Sequence, residues 1–131
     1  MKLITRDTDY ALRAVCFIAK KRNKKVCASE LVEELKIPRS FMRKILQVLN
    51  REGILTSHKG IGGGFVLAKQ PKDIYLTDLM EIFQGGVNLN ECTLHKMKCP
   101  NVSVCPLRKK IKNIEKHVIS ELSVINLAAF V

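Results

Sequence analysis

Cys92, Cys99 and Cys105 fall in one short stretch bounded by Gly85-Gly86 and Pro106, with six and then five residues between them. Thiolates gathered on a segment without helical or strand periodicity form a ligand set for a soft metal rather than part of a core. Structural zinc sites pair cysteines roughly two to four residues apart, and the wider gaps here leave room for something larger. His95 changes that count, because Cys92, His95, Cys99 and Cys105 are separated by two, three and five residues, which tetrahedral zinc accepts. An iron-sulfur cluster takes thiolates as its standard ligands, and three cysteines leave one iron in need of a different donor. Spacing alone leaves zinc and an iron-sulfur cluster, 2Fe-2S or 4Fe-4S, as alternatives. In a cluster, the replaceable fourth position is where nitric oxide, oxygen or a small thiol attacks, so the incomplete set is itself a device for sensing. Lys96 and Lys98, interleaved with the cysteines, can offset thiolate charge.

The elements that position this set belong to a chain of 131 residues with a hydrophobic fraction of 47%, enough for one compact domain with one appended element. There are 23 Lys and Arg against 12 Asp and Glu, a formal charge of +11, which makes nucleic acid the leading partner. The opening residues Met1 to Asp7 contain no apolar run of signal-peptide length, and nothing later approaches the ~20 apolar residues of a membrane span. The expected location is the cytoplasm, where thiols stay free or metal-bound. The remaining two of the five cysteines, Cys16 in an apolar helical run and Cys27 at a helix start, read as structural. No Cys-x-x-Cys redox pair and no nucleophile with an evident base is present, so the expectation is a protein that is not an enzyme.

Tyr10, Ala11, Ala14, Val15 and Ile18 recur at helical spacing and predict a first helix over Thr8 to Lys20, with Thr8 as its cap. The basic run Lys20 to Lys25 closes it as a turn. Ala28 to Leu35 is a short second helix with Leu31, Val32 and Leu35 inward, broken by Lys36-Ile37-Pro38. A third helix runs between Pro38, just inside its start, and Gly53, just past its end. Its apolar face is Phe41, Ile45, Val48 and Leu49, supported by Met42 and Leu46. Its polar stripe of Ser40, Arg43, Lys44, Gln47 and Arg51 has no acidic member. Two helices across a tight turn, the second with such a stripe, make a helix-turn-helix whose second helix enters the major groove.

Ile54 to Lys59 and Phe65 to Ala68 predict two strands around the turn Gly60-Ile61-Gly62-Gly63-Gly64. A phosphate-binding loop is the weaker reading, since no Gly-Lys-Ser/Thr follows and no helix opens after it. As a hairpin, the segment can lay Gly62 and Gly63 against a DNA backbone or in a minor groove, with His58 and Lys59 adding side-chain contacts. The fold class is therefore mainly α with a small β-hairpin: a winged helix-turn-helix domain over residues 1–70. Residues 71–131 carry a linker helix capped by Thr77, with Leu76, Leu79, Met80 and Phe83 inward, then the cysteine loop 87–105 and a final helix 106–128. That helix bears Leu107, Ile111, Ile114, Val118, Leu122 and Ile125 in a four-and-three step close to a heptad seam. At ~1.5 Å per residue it spans roughly 30 Å, more than a small domain covers, which implies a homodimer reading an inverted repeat in double-stranded DNA.

Four motifs together resemble the winged-helix iron-sulfur regulators, the family of IscR, NsrR and RirA, with CymR as a relative lacking the cluster. They are Thr8-Asp9-Tyr10-Ala11-Leu12-Arg13, Ile37-Pro38-Arg39-Ser40-Phe41, Gly60-Ile61-Gly62-Gly63-Gly64-Phe65 and the cysteine triad, and the resemblance covers nearly the whole chain. It implies a winged-helix dimer with a long crossed C-terminal helix, and an iron-sulfur cluster on Cys92, Cys99 and Cys105. The IscR type supplies a histidine three residues after its last cysteine, where this chain has Arg108, which cannot ligate. The NsrR type supplies an aspartate of the first helix from the other subunit, and Asp9 occupies that place, with His95 and His117 in reserve. On that second helix of the helix-turn-helix, Ser40, Arg43, Lys44 and Gln47, with Arg39 before them, are the candidates for DNA contact. Arg43 and Lys44 stand where IscR has an acidic residue and an amide, which implies different bases, with guanine the common target of Arg and Lys.

The implied function is a dimeric repressor whose cluster senses nitric oxide, redox or iron status. The alternative is a zinc-bound or cluster-free regulator that senses through cysteine oxidation. A scaffold using its helical seam, without DNA, is the competing reading from another class.

Overall fold

The computed structural model describes residues 2–89 and 105–131. The chain packs around the helix α1 (Arg6–Lys20), whose buried Ala11, Ala14, Val15 and Ile18 form one stripe. The small alanines let neighbouring elements approach closely. Helices α2 (Ala28–Leu35) and α3 (Arg39–Arg51) pack on each other and on α1, with Leu31, Met42, Ile45, Leu46 and Leu49 closing the core.

The start of α1 differs from the sequence expectation. Helix α1 begins at Arg6 and its N-cap is Thr5, whose hydroxyl accepts from the Thr8 amide at 3.4 Å. Thr8 is wholly buried inside the first turn and donates its hydroxyl to Gln84 Oε1 at 2.8 Å. A buried hydroxyl needs a partner, and here that partner lies 76 residues away in sequence.

Between α2 and α3, Lys36 adopts φ 55° and ends α2, Ile37 is buried as the anchor of the turn, and Pro38 is the N-cap of α3 rather than its first helical residue. A side chain in the left-handed region costs roughly 1–2 kcal/mol, a strain that the buried Ile37 next to it offsets.

Strands β1 (Leu55–His58) and β2 (Gly64–Leu67) pair antiparallel from Leu55 opposite Leu67 to His58 opposite Gly64. Val26 adds a one-residue third strand, exchanging both backbone bonds with Phe65 at 3.0 and 2.8 Å. Position 64 must be glycine there, because a Cβ would stand 2.7 Å from the Val26 carbonyl oxygen. The base of the hairpin is bonded to the end of α3 through Ile54 N–H to the Leu49 carbonyl, at 3.0 Å.

A 3-10 turn (Pro71–Asp73) leads to α4 (Leu76–Gln84). Its N-cap is Tyr75, not Thr77, and the Asp78 carboxylate accepts the Tyr75 amide at 3.0 Å. Gly85 ends α4 in the left-handed conformation at φ 73°, as its sequence position implies.

The last helix, α5 (Pro106–Leu122), is shorter than the 106–128 expected. After Leu122 the chain turns back. Ile125 accepts the Leu76 amide and Leu127 donates to the Ile74 carbonyl, so Asn126 bridges Tyr75. Leu127 then enters the core, fully buried, at the start of a 3-10 turn (Leu127–Phe130). Backbone pairing with the approach to α4 outcompetes continuation of the helix. At ~1.5 Å per residue, α5 is about 25 Å long, and none of its residues is buried.

Leu127→Ala should therefore destabilise the fold by about 2–5 kcal/mol, whereas Val124→Ala, 74% exposed, should stay within about 0.5 kcal/mol. Urea denaturation followed by circular dichroism measures both; equal effects would mean that the tail does not dock.

Candidate nucleic-acid interface and metal centre

Helix α3 is amphipathic in the plainest sense: Met42, Ile45, Leu46 and Leu49 are buried, and Arg39, Ser40, Arg43, Lys44 and Gln47 are all exposed. The helical repeat separates the two sets, since residues three and four apart share a face. No Asp or Glu lies between Arg39 and Arg51. Arg39 Nη1 donates to Ser29 Oγ at 3.3 Å, which ties the N-terminal ends of α2 and α3 together beside the candidate contact residues. The charge on this face comes from a surface held rigid by the core behind it.

His58 and Lys59 are exposed at the end of β1, and Gly62 is exposed at the hairpin turn. Gly63 is half-buried and its amide is spent on the Gly60 carbonyl at 3.0 Å, closing that turn. Neither α3 nor the hairpin contains an acidic residue, and the exposed Glu52 between them is paired with Arg51 at 3.8 Å.

Of the cysteine set, Cys92 and Cys99 lie outside the described residues, as does His95. Cys105 is the N-cap of α5, half-buried, and its side chain makes no capping hydrogen bond. The residues that follow it at the start of α5 include Arg108, Lys109 and Lys110, with no acidic residue in the first turn. An available sulfur at the positive end of a helix, beside cations, fits a ligand to an anionic thiolate centre. Among the described residues no three His, Cys, Asp or Glu side chains converge. His117 lies farther along α5 at 4.0 Å from Glu121.

Asp9 is half-exposed in the first turns of α1, where its Oδ2 pairs with Arg13 Nε at 3.0 Å across one helical turn. The carboxylate is oriented by its own helix and open to solvent. Cys16 is half-buried as expected, and burial raises its thiol above the ordinary value of 9.0, against the opposing pull of Lys20. Cys27 departs from its structural reading: it is an exposed N-cap without a side-chain capping bond.

Sequence patterns missed the residues that join these two regions. Gln84 Oε1 accepts from the Thr5 amide and the Thr8 hydroxyl, while its Nε2 donates to the carbonyls of Leu3 and Gly86, all within 3.1 Å. It fastens the residues leading into the cysteine segment to the cap of α1. Past Gly86, the Leu89 amide donates to Glu115 of α5 at 3.1 Å. On the other side of the same α1 turn, the Arg6 guanidinium lies 4.3 Å from the centre of the Phe41 ring, and Tyr10 meets that ring edge-on at 6.3 Å. Phe41 sits between Ser40 and Arg43 on α3. No motif marks Gln84; only the burial of Thr8 opposite it reveals the role.

The pattern that defines the Rrf2 family, described as an iron-dependent transcriptional regulator, matches residues 4–131. An HTH-type transcriptional regulator sequence of Aquifex aeolicus is 38% identical over 90 residues, 69% of this chain; the matched stretch spans 62% of that relative's length. The HTH-type transcriptional regulator NsrR of Bacillus subtilis is 30% identical over 130 residues, covering 98% of this chain and 83% of the relative. In fold, the chain is similar to CymR, titled the global cysteine regulator of B. subtilis, with a TM-score of 0.78 at 20% identity over 98% of this chain and 95% of the other. These relatives regulate transcription and are not enzymes, and the winged helix-turn-helix fold is what they share with the present chain. The chain belongs to the Rrf2 family of iron-dependent transcriptional regulators.

Proposed function

We propose that the chain is a homodimeric, cytoplasmic repressor that reads an inverted repeat in double-stranded DNA, with its affinity set by an iron-sulfur cluster responsive to nitric oxide, redox or iron status. The observation that carries the DNA part is the outward face of α3, five exposed polar or basic residues and no acid, backed by a buried apolar face. Arg43, Lys44 and Gln47 reach base edges in the major groove, with Arg39 and Ser40 at the helix start. His58, Lys59 and the Gly62-Gly63 backbone lie along the sugar-phosphate chain.

Cys92, Cys99 and Cys105 would hold the cluster, and Asp9 of the partner subunit would supply the fourth donor. When bound, such a group supplies a redox-active centre with one exchangeable, non-thiolate position. The chain's own part is to present Cys105 at the start of α5 beside the basic residues that follow it, and to orient Asp9 through Arg13. Loosening the cysteine segment withdraws Gly86 from Gln84, which disturbs the cap of α1. The same turn bears on Phe41 through Arg6 and Tyr10, so the disturbance reaches the contact residues of α3. The dimer assignment rests on α5, which exposes Leu107, Ile114 and Ile119 and lacks buried residues of its own.

Lys59→Ala should weaken binding to every duplex and lower the salt slope by about one, whereas Arg43→Ala should relax the choice at one base position at a cost of about 1–3 kcal/mol. Fluorescence anisotropy on a panel of duplexes at several salt concentrations distinguishes them, and identical behaviour of the two variants would refute the groove assignment. Asp9→Ala should leave the dimer intact in gel filtration while the visible absorbance of anaerobically prepared protein bleaches faster in the presence of a chelator. Wild-type protein that stays colourless and iron-poor after anaerobic reconstitution would remove the cluster from the mechanism.

A further inference from the structure

Ile61 stands out among the exposed large apolar residues of the described chain, with 110% of its reference area accessible. It occupies the first corner of the hairpin turn, which Gly63 closes onto the Gly60 carbonyl and whose second corner is Gly62 at φ 75°. Ile61 itself is absent from the left-handed region, so the turn is of type II. Such corners favour proline, glycine and short polar residues, and nothing in the turn geometry asks for a β-branched aliphatic side chain. Isolated surface aliphatics are common, but this one crowns a projecting, otherwise cationic element. From Gly53 to Lys72 there is no Asp or Glu, while His58, Lys59, Lys69 and Lys72 are present.

The hairpin is bolted to α3 through Ile54 and Leu49 and braced from the side by Val26. With α3 in a major groove, its crest therefore keeps a fixed offset from that helix along the same duplex. Charge complementarity and continuity with the α3 face both select DNA as the occupant. Proteins that enter the minor groove commonly push an aliphatic wedge against base steps that unstack easily, and they favour sequences that deform at low cost.

We infer that Ile61 is an apolar wedge seated in the minor groove beside the bases under α3, which makes A·T-rich or pyrimidine–purine steps at that offset part of the recognised sequence. The inference rests on the DNA-reading role given above to α3.

The test needs no known operator. Full-length wild type, Ile61→Ala and Lys59→Ala are each used to select from a random-sequence duplex library, and the bound pools are sequenced. Wild type should enrich two features, the bases contacted by α3 and a deformable flanking step at constant distance. Ile61→Ala should keep the first and lose enrichment of the second by about tenfold, with its thermal midpoint and salt slope unchanged because the side chain buries no area in the fold. Lys59→Ala should keep both features and flatten the salt slope. Identical flanks in the wild-type and Ile61→Ala pools would overturn the wedge while leaving the α3 reading in place. Identical flanks together with altered self-association of Ile61→Ala in sedimentation would assign the residue to a protein contact instead. A wild-type pool with no enrichment at all would overturn both readings.

Discussion

A threonine hydroxyl sealed inside the first turn of α1 ties together segments of the chain that lie far apart in sequence. Thr8 has no access to water, so its hydrogen bond must come from the protein, and Gln84 provides it from the far end of α4. The same amide also binds the backbone on both sides of that contact, at Thr5, Leu3 and Gly86. An amide that satisfies donors and acceptors at once has little freedom to rotate away, and in a partly dry setting each bond strengthens its neighbours. The N-terminal arm, the end of α4 and the approach to the cysteine segment are therefore fixed relative to one another. On its opposite flank the turn holds Phe41 between a guanidinium and a tyrosine edge, so the orientation of α3 depends on it as well.

The elements whose apolar periodicity is long and bounded by strong punctuation were legible from sequence: α2 with its inward leucines, α3 with its basic stripe, and the hairpin around Gly60 to Gly64. The outward residues of α3 follow directly from which neighbours are apolar. Cap positions were not legible in the same way. Thr8 and Thr77 each precede an apolar run and have the right chemistry, yet Thr5 and Tyr75 are the caps. A threonine suits a cap or a buried hydrogen bond equally well, and only a distant partner such as Gln84 decides between them. The end of α5 was hidden by its own regularity, because Ile125 continues the heptad step while its carbonyl is claimed by Leu76. In the candidate metal centre, the cysteine types and spacing were evident, as was the place of Cys105 at a helix start, where the structure has it as the N-cap of α5.

Helix α5 and the tail that follows it face opposite requirements. The tail buries Leu127 and pairs its backbone, so it is secured by the fold. The helix has no fully buried residue and exposes Leu107, Ile114 and Ile119. Isolated helices of this length are marginal in water, and anchoring at its middle, through Glu115 to Leu89, and at its C-terminal end, through the docked tail, keeps this one aligned while leaving exposed apolar residues available.

The one-residue strand at Val26 has a mechanical consequence. Because it clamps the hairpin to the connection between α1 and α2, and Gly64 lets the two backbones nearly touch, hairpin and α3 cannot be adjusted independently. Each reading head is a rigid jaw. In the proposed dimer, a signal that reaches α1 and Phe41 would tilt each jaw as a unit, so that regulation would become a matter of span rather than of shape.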